Sequence, residues 1–318
     1  MSEVKGFKKK AFALATQKTY KSQLSSYLQF CLEFKCVPLP VSQSTLLCYT
    51  AFLARRLLPS SIPNYLNVVR LLHLESGYCN PLEGNFELSL LKKGINRQLG
   101  VPPRQKLPLT VTMLRRMHPF LSLCDPKDLA FWAACVLGFL GFMRKSTLLP
   151  LSANVEGVKI LLREDVKELD LSSFVLVVRQ SKVIQFGQRV HSIPFAISPD
   201  YILCPVRSLL SHFGASPLGG KRPLFNYTVS GRELCLSQSA FVVRLNSLLR
   251  AAGYKASDYS AHSLRRGGAS LAFDLGLSPL QIKMRGDWSS DAYERYVHIS
   301  SSSAMSVALS LSSGIVAI

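Results

Sequence analysis

"GVPPRQKLP", residues 100–108, breaks the chain in two. It combines a glycine, three prolines and two cations with no apolar periodicity, the composition of an extended connector between domains. Working back from it, the sequence reads as helix. "TQKTYKSQLSSYLQFCLEF" (16–34) places Tyr20, Leu24, Tyr27, Leu28 and Cys31 at helical spacing, and "SQSTLLCYTAFLARRLL" (42–58) does the same before stopping at Pro59. A third helix is expected after Ser60 and Ser61, ending by Gly77, and a fourth over Phe86 to Leu99. Residues 1–103 are therefore expected to form a small helical bundle.

Working forward, the period changes. Helices are expected around Val111 to Ser122 and Lys127 to Phe142. "SSFVLVVRQSK" (172–182) and "RVHSIPF" (189–195) are then rich in β-branched residues and flank Gly187, which reads as a β-hairpin. Helices resume over "PVRSLLSHF", "SQSAFVVRLNSLLRAAG", "HSLRRGGASLAFDLG", "SPLQIKMRG" and "SDAYERYVH", each with a serine or proline at its front or a glycine at its back. Residues 104–318 are expected to be mainly α with a small β-sheet.

Composition bounds the function. Across 318 residues, 38 Lys and Arg face 19 Asp and Glu, a formal net charge of +19, while 48% apolar residues and a mean hydropathy of +0.19 point to a folded chain. Such an excess of cations suits a polyanionic partner, nucleic acid first and an anionic membrane second. The longest charge-free apolar run, "LAFWAACVLGFLGFM" (129–143), is too short to span roughly 30 Å of hydrocarbon and reads as a buried helix. "MSEVKGFKKKAF" at the start has neither the apolar stretch nor the cleavage site of a secretory leader. Eight cysteines are scattered without C-x-x-C or Cys/His clustering, so reduced core thiols in an intracellular protein are expected, with no metal.

Against that background "SAHSLRRGGA" (260–269) acquires meaning. On a helix His262 and Arg265 lie three apart on one face, and an imidazole beside a guanidinium suits a phosphodiester. Arg144, read as ending the apolar helix in "GFLGFMRKSTLL", is a charge beside much hydrophobic surface that needs a partner or an anion. Lys182 sits in the hairpin turn, where a flexible ammonium could reach a bound substrate. Trp288 and the tyrosines Tyr293 and Tyr296 follow in "WSSDAYERYVH".

In this order, Arg144, Lys182, His262-x-x-Arg265, Trp288 and Tyr296 resemble the active site of the tyrosine recombinases, which include phage integrases. "GFLGFMRKSTLLPL", "AHSLRRGGAS" and "WSSDAYERYVH" most resemble the recombinases of eukaryotic mobile elements, the DIRS-type retrotransposons and cryptons. The resemblance covers the whole chain and implies a helical core-binding domain (SAM-like), the connector and an α+β catalytic domain. It implies cleavage of double-stranded DNA through a 3′-phosphotyrosyl bond, with no ATP, metal or other cofactor. It also implies a homotetramer on two DNA sites and, in a eukaryote, a nuclear location.

Tyr296 would then be the nucleophile, with Tyr293, expected to pack, as the alternative. Arg144 and Arg265 would neutralise the phosphate, Lys182 would be the general acid, His262 an acid/base and orienting partner, and Trp288 an indole N–H donor. Two positions depart from the family pattern: Thr147 stands where many members carry an acid, and Trp288 and Tyr296 are one residue closer than in the well-known phage enzymes.

Lys92, Lys93, Arg97, Arg104 and Lys106 are candidates for sequence-independent contacts to DNA phosphates. Apolar spacing in the tail at Met305, Ala308, Leu309 and Leu311 suggests an amphipathic helix packing on its own domain or on a neighbour. A type IB topoisomerase-like activity and a catalytically silent DNA-binding protein are the competing readings.

Overall fold

The computed structural model describes residues 2–102, 105–152 and 160–298, together with 305, 308 and 309. Arg104 and nearly all of the tail lie outside the described residues. The chain divides into two compact units, Met1–Arg104 and Gln105–Ile318.

The first unit is all helical: α1 (Ser2–Lys10), α2 (Leu14–Glu33), α3 (Gln43–Ala54), α4 (Ile62–Glu75) and α5 (Phe86–Leu99). The Ser42 hydroxyl accepts from Thr45 N–H to start α3, and the Asn85 side chain accepts from Leu88 N–H to start α5. Tyr27, Phe30, Leu46, Tyr49, Leu53, Leu66 and Val69 form its core. In α2 the buried face is Tyr27, Phe30 and Cys31, whereas Leu28 points to solvent. Helix α1 had no sequence expectation.

The second unit wraps around one buried helix. It opens with α6 (Val111–Met117), followed by α7 (Pro126–Leu140) and the short α8 (Lys145–Leu148). Helix α7 is the centre: every residue from Ala130 to Phe139 is buried, as its uninterrupted apolar sequence requires. Its one buried carboxylate, Asp128, is paired with Arg244 at 2.7 Å. Strands β1 (Val166–Lys167), β2 (Ser173–Val178) and β3 (His191–Ala196) form an antiparallel sheet in that order, registered from Ser173 opposite Ala196 to Val178 opposite His191. Alternation along β2 buries Phe174, Leu176 and Val178.

Helix α9 (Pro205–Ala215) precedes β4 (Asn226–Val229) and β5 (Arg232–Cys235), and α10 (Gln238–Ala251), α11 (His262–Asp274) and α12 (Pro279–Gly286) follow. Helix α9 follows β3 as expected, but the β4–β5 hairpin between α9 and α10 corrects the expectation of helices alone from there on. Ser230 and Gly231 both take positive φ, +49° and +74°, the geometry of a tight hairpin turn, and "SG" between two apolar-polar runs was its signal. A second correction concerns 290–298, expected as a helix: Asp291–Arg295 is 3₁₀, with Ser290 capping Ala292 N–H. A third concerns the thiols. All eight are free, but Cys48, Cys79 and Cys124 are exposed, and only Cys31, Cys135 and Cys204 are fully buried.

His212 on α9 has no exposed surface, and its Nε2 lies 3.0 Å from the Leu224 carbonyl. Burial first, with the Arg163 cation adding to it, pushes its pKa down to about 4 against the hydrogen bond to Leu224. The unfolded chain therefore takes up this proton near pH 6.5, before the folded protein does. Stability is full above that pH and falls as the pH drops toward 4, by about 2 kcal/mol at pH 5 from this group alone. Urea titrations at pH 7.5 and pH 5 are expected to show the gap between wild type and His212→Gln shrinking at the lower pH; a constant gap would contradict the assignment.

Candidate active site

Two helices end at the same place by the same device. Helix α7 closes through Met143 N–H to Gly138 O (3.0 Å) and Phe142 N–H to Phe139 O (3.3 Å), with Phe142 at φ +48°. Helix α12 closes through Trp288 N–H to Lys283 O (3.0 Å) and Asp287 N–H to Met284 O (3.3 Å), with Asp287 at φ +55°. Both are Schellman turns, which normally place glycine at the left-handed position. A phenylalanine there costs on the order of 1 kcal/mol or more, and it persists because the ring is 95% buried beside Trp288. Arg144 consequently stands beyond α7 as the N-cap of α8, which corrects its expected place at the end of the apolar helix.

Helix α11 lies against these turns because "RRGG" lets backbone meet backbone. A β-carbon on Gly267 would sit 1.8 Å from the Leu109 carbonyl, and one on Gly268 1.9 Å from the Phe139 carbonyl. That approach drives Arg265 between the two helix ends. Its guanidinium donates to Phe142 O from Nη1 and to Gly286 O from Nη2 at 2.8 Å, and it lies 3.7 Å over the Trp288 ring. The carbonyl ends of α7 and α12 thus hold a buried cation, as helix C-termini do. Burial, with Arg144 next, pushes Arg265 down to about 9, offset in part by Tyr296 and Asp287, so it stays charged at neutral pH. Trp288 fits because Gly286 has no side chain; a β-carbon there would lie 1.7 Å from the indole.

Tyr296 is fixed by α11 on both sides. Arg266 donates to Arg295 O at 3.0 Å, His298 N–H donates to the Ser270 hydroxyl at 2.9 Å, and Tyr296 N–H closes the 3₁₀ turn on Tyr293 O at 2.8 Å. The Tyr296 hydroxyl lies 3.0 Å from His262 Nε2, and its ring centre is 5.1 Å from both the Trp288 ring and the Arg265 guanidinium carbon. His262 reaches solvent at the first turn of α11, whereas Arg265 beneath it is 2% exposed, so the two meet around Tyr296 rather than side by side. Desolvation of the ring, then the cations Arg265, Arg144, Arg266 and Lys145, push His262 down to about 4. Its imidazole is neutral at pH 7 and can accept the tyrosine proton. Tyr293 is buried in the cluster with Phe142, Ile282 and Trp288.

The polar accounting around this pair is one-sided. Arg265 Nε, Arg266 Nε and Trp288 Nε1 are buried N–H groups with no partner among the described residues. All three are donors, so an anion with acceptor oxygens would complete them. Arg144 is half-buried on the same cleft wall as Arg265, with no hydrogen bond or ion pair from its side chain among the described residues. Thr147 lines that wall and donates its backbone N–H to Arg144 O at 2.9 Å. The cleft holds about 20 Å³, room for one water-sized group and too little for an enclosed small molecule. Among the described residues no His/Cys/Asp/Glu cluster could hold a metal, and no helix is long and apolar enough to cross a membrane.

Five of the six catalytic candidates converge: Arg144, His262, Arg265, Trp288 and Tyr296. Lys182 does not, since it is exposed in the β2–β3 turn with no contact from its ammonium to the others. Of the phosphate-contact candidates, Lys92 is half-buried and Lys93 and Arg97 are exposed on α5. Lys106 belongs to the second unit and donates to Ser257 O. Sequence reasoning missed Arg266, Arg285 and Asp287. Arg266 was in plain view in "RRGG", whereas Arg285, bonded to Leu140 O and Pro194 O, gave no signal.

No protein-family model matches the chain, and no curated protein does. Solved structures do. The XerH site-specific recombinase bound to palindromic difH substrate, a post-cleavage complex, is 14% identical with a TM-score of 0.63 over 92% of this chain and 78% of that one. The Tn1549 transposon integrase in complex with transposon right end DNA is 13% identical with a TM-score of 0.62 over 97% and 98%. A lambda integrase dimer bound to a COC′ core site is 15% identical with a TM-score of 0.50 over 91% and 93%. A helical N-terminal unit followed by a helical unit with small antiparallel sheets is thus what this chain shares with them: it has the tyrosine recombinase fold.

Proposed function

We propose that the protein cuts and rejoins double-stranded DNA through a covalent 3′-phosphotyrosyl intermediate on Tyr296, in site-specific recombination that moves or integrates a mobile element. The observation that carries this reading is the Tyr296 hydroxyl 3.0 Å from a neutral imidazole, beside buried N–H donors that lack an acceptor. A phosphodiester resists attack because its charge repels nucleophiles. Arg144 and the unpaired donors of Arg265 and Trp288 offset the charge that grows on the nonbridging oxygens of five-coordinate phosphorus. His262 takes the Tyr296 proton as the tyrosine oxygen bonds to phosphorus and the bond to the 5′-oxygen breaks. Lys182, at the tip of the β2–β3 turn, protonates that leaving oxygen. DNA-bound structural neighbours support a DNA substrate. Assembly as a tetramer on two sites belongs to the same reading.

The test uses duplexes selected from a random pool for binding and nicked next to the candidate scissile phosphate, so that the cleaved end diffuses away. A protein–DNA band on a denaturing gel is the expected result. Salt-sensitive binding with no band, with or without magnesium, would leave a DNA-binding protein without strand cleavage.

A further inference from the structure

Among the described residues, Asp287 is the one carboxylate on the wall of a cleft whose other charged groups are the cations Arg144, Arg265 and Arg285. A negative charge there opposes the entry of a phosphate, and its geometry gives it another task. One carboxylate oxygen is ion-paired with Arg189, and the other lies 3.5 Å from the Ser181 hydroxyl. Both partners belong to the connection 179–190 between β2 and β3, one near each end. Asp287 is only 12% exposed, while the Arg189 guanidinium that reaches it is 45% exposed, so the carboxylate end of this pair is the less screened one. His191 adds a third tie, from Nε2 to the Arg285 carbonyl at 3.2 Å.

Between these ties lies Lys182. Ser181 and Ile184 exchange backbone hydrogen bonds of 3.1 and 3.3 Å, which places Lys182 and Val183 at the tip of a tight turn. Ile184 is fully buried and anchors one side of it. The Ser181 hydroxyl also accepts from Val183 and Ile184 N–H at 3.2 Å, so the group that touches Asp287 is the one that closes the turn. A lysine has a long stem with roughly 2 kcal/mol of rotamer entropy, and where its ammonium can act is set by where its backbone is held.

We infer that Asp287 is a positioning residue for Lys182, its carboxylate clamping the β2–β3 turn through Arg189 and Ser181 so that the Lys182 ammonium reaches the leaving 5′-oxygen. This rests on the strand cleavage proposed above. In that step the Tyr296 oxygen bonds to phosphorus, its proton passes to His262, the bond to the 5′-oxygen breaks, and the Lys182 ammonium protonates that oxygen. A 5′-sulfur in the same bridging position leaves as a thiolate and needs no proton, so a defect that acts through Lys182 disappears with it.

Single-turnover cleavage by the full chain would be measured on selected nicked duplexes carrying either bridging oxygen or bridging sulfur. The enzymes compared are wild type, Lys182→Ala, Asp287→Asn and Arg189→Gln. Asparagine tolerates the left-handed backbone at 287 as well as aspartate does, so Asp287→Asn removes the charge and leaves the turn. With oxygen, Lys182→Ala is expected to lose about 10²–10⁴-fold and Asp287→Asn and Arg189→Gln about 10–100-fold; with sulfur all three approach wild type. Equal loss by Asp287→Asn on both substrates, or no loss on either, would overturn the inference. So would a Lys182→Ala defect that sulfur does not relieve, although Tyr296 would then stand as nucleophile. No adduct from wild type on either duplex would instead bring down the proposed cleavage itself.

Discussion

Tyr296→Phe is expected to abolish the covalent protein–DNA adduct, a loss of at least about 10⁴-fold, while DNA binding and folding persist. Phenylalanine keeps the ring that packs 5.1 Å from both His262 and Trp288, so only the hydroxyl is removed. Tyr293→Phe is the matched control. Its ring is part of the buried cluster with Phe142 and Ile282, and its hydroxyl has no hydrogen-bond partner among the described residues. The adduct should therefore survive Tyr293→Phe nearly unchanged. Denaturing gels of the two variants against wild type decide the matter: an adduct lost with Tyr293→Phe and kept with Tyr296→Phe would reassign the nucleophile and remove the role given to His262.

Periodicity made the helices legible, and it did so where a single face or an entire helix is buried. Helix α7 was visible as an apolar run too short for a membrane, and β2 and β3 as two β-branched stretches around a turn. The spacing of His262 and Arg265 correctly suggested a helix, but not that one residue faces solvent while the other is buried. What stayed hidden depends on tertiary packing. A left-handed residue after a helix is announced by glycine, and here the two turns that build the site use Phe142 and Asp287, so the ends of both helices were legible but the left-handed turns that place Arg144 and Trp288 were not. The carbonyls that hold Arg265 come from residues 123 positions before it and 21 after it, a relationship that no local pattern encodes. The 3₁₀ segment before Tyr296 was read as a helix because both periods place residues three apart on one face.

Arg265→Lys is expected to lower cleavage by about 10²–10³-fold, the usual effect of removing one preorganised donor to a developing oxyanion. The charge is kept and the geometry is not. Arg265 uses one end of its fork on Phe142 O and the other on Gly286 O, which leaves Nε buried and unpaired, as Trp288 Nε1 also is. An ammonium is a point donor on a flexible stem and cannot meet both carbonyls while also presenting a fixed N–H. It would leave a buried carbonyl without a partner, so a loss of about 1–3 kcal/mol in unfolding free energy is expected as well. The salt dependence of DNA binding should be unchanged, since the number of cations is the same. These readouts separate two roles that the geometry superimposes. Lost stability with cleavage intact would mean that Arg265 serves only to join the ends of α7 and α12. Lost cleavage in protein that is still fully folded at the assay temperature would mean that the same guanidinium, braced by two helix termini, stabilises the phosphorus transition state.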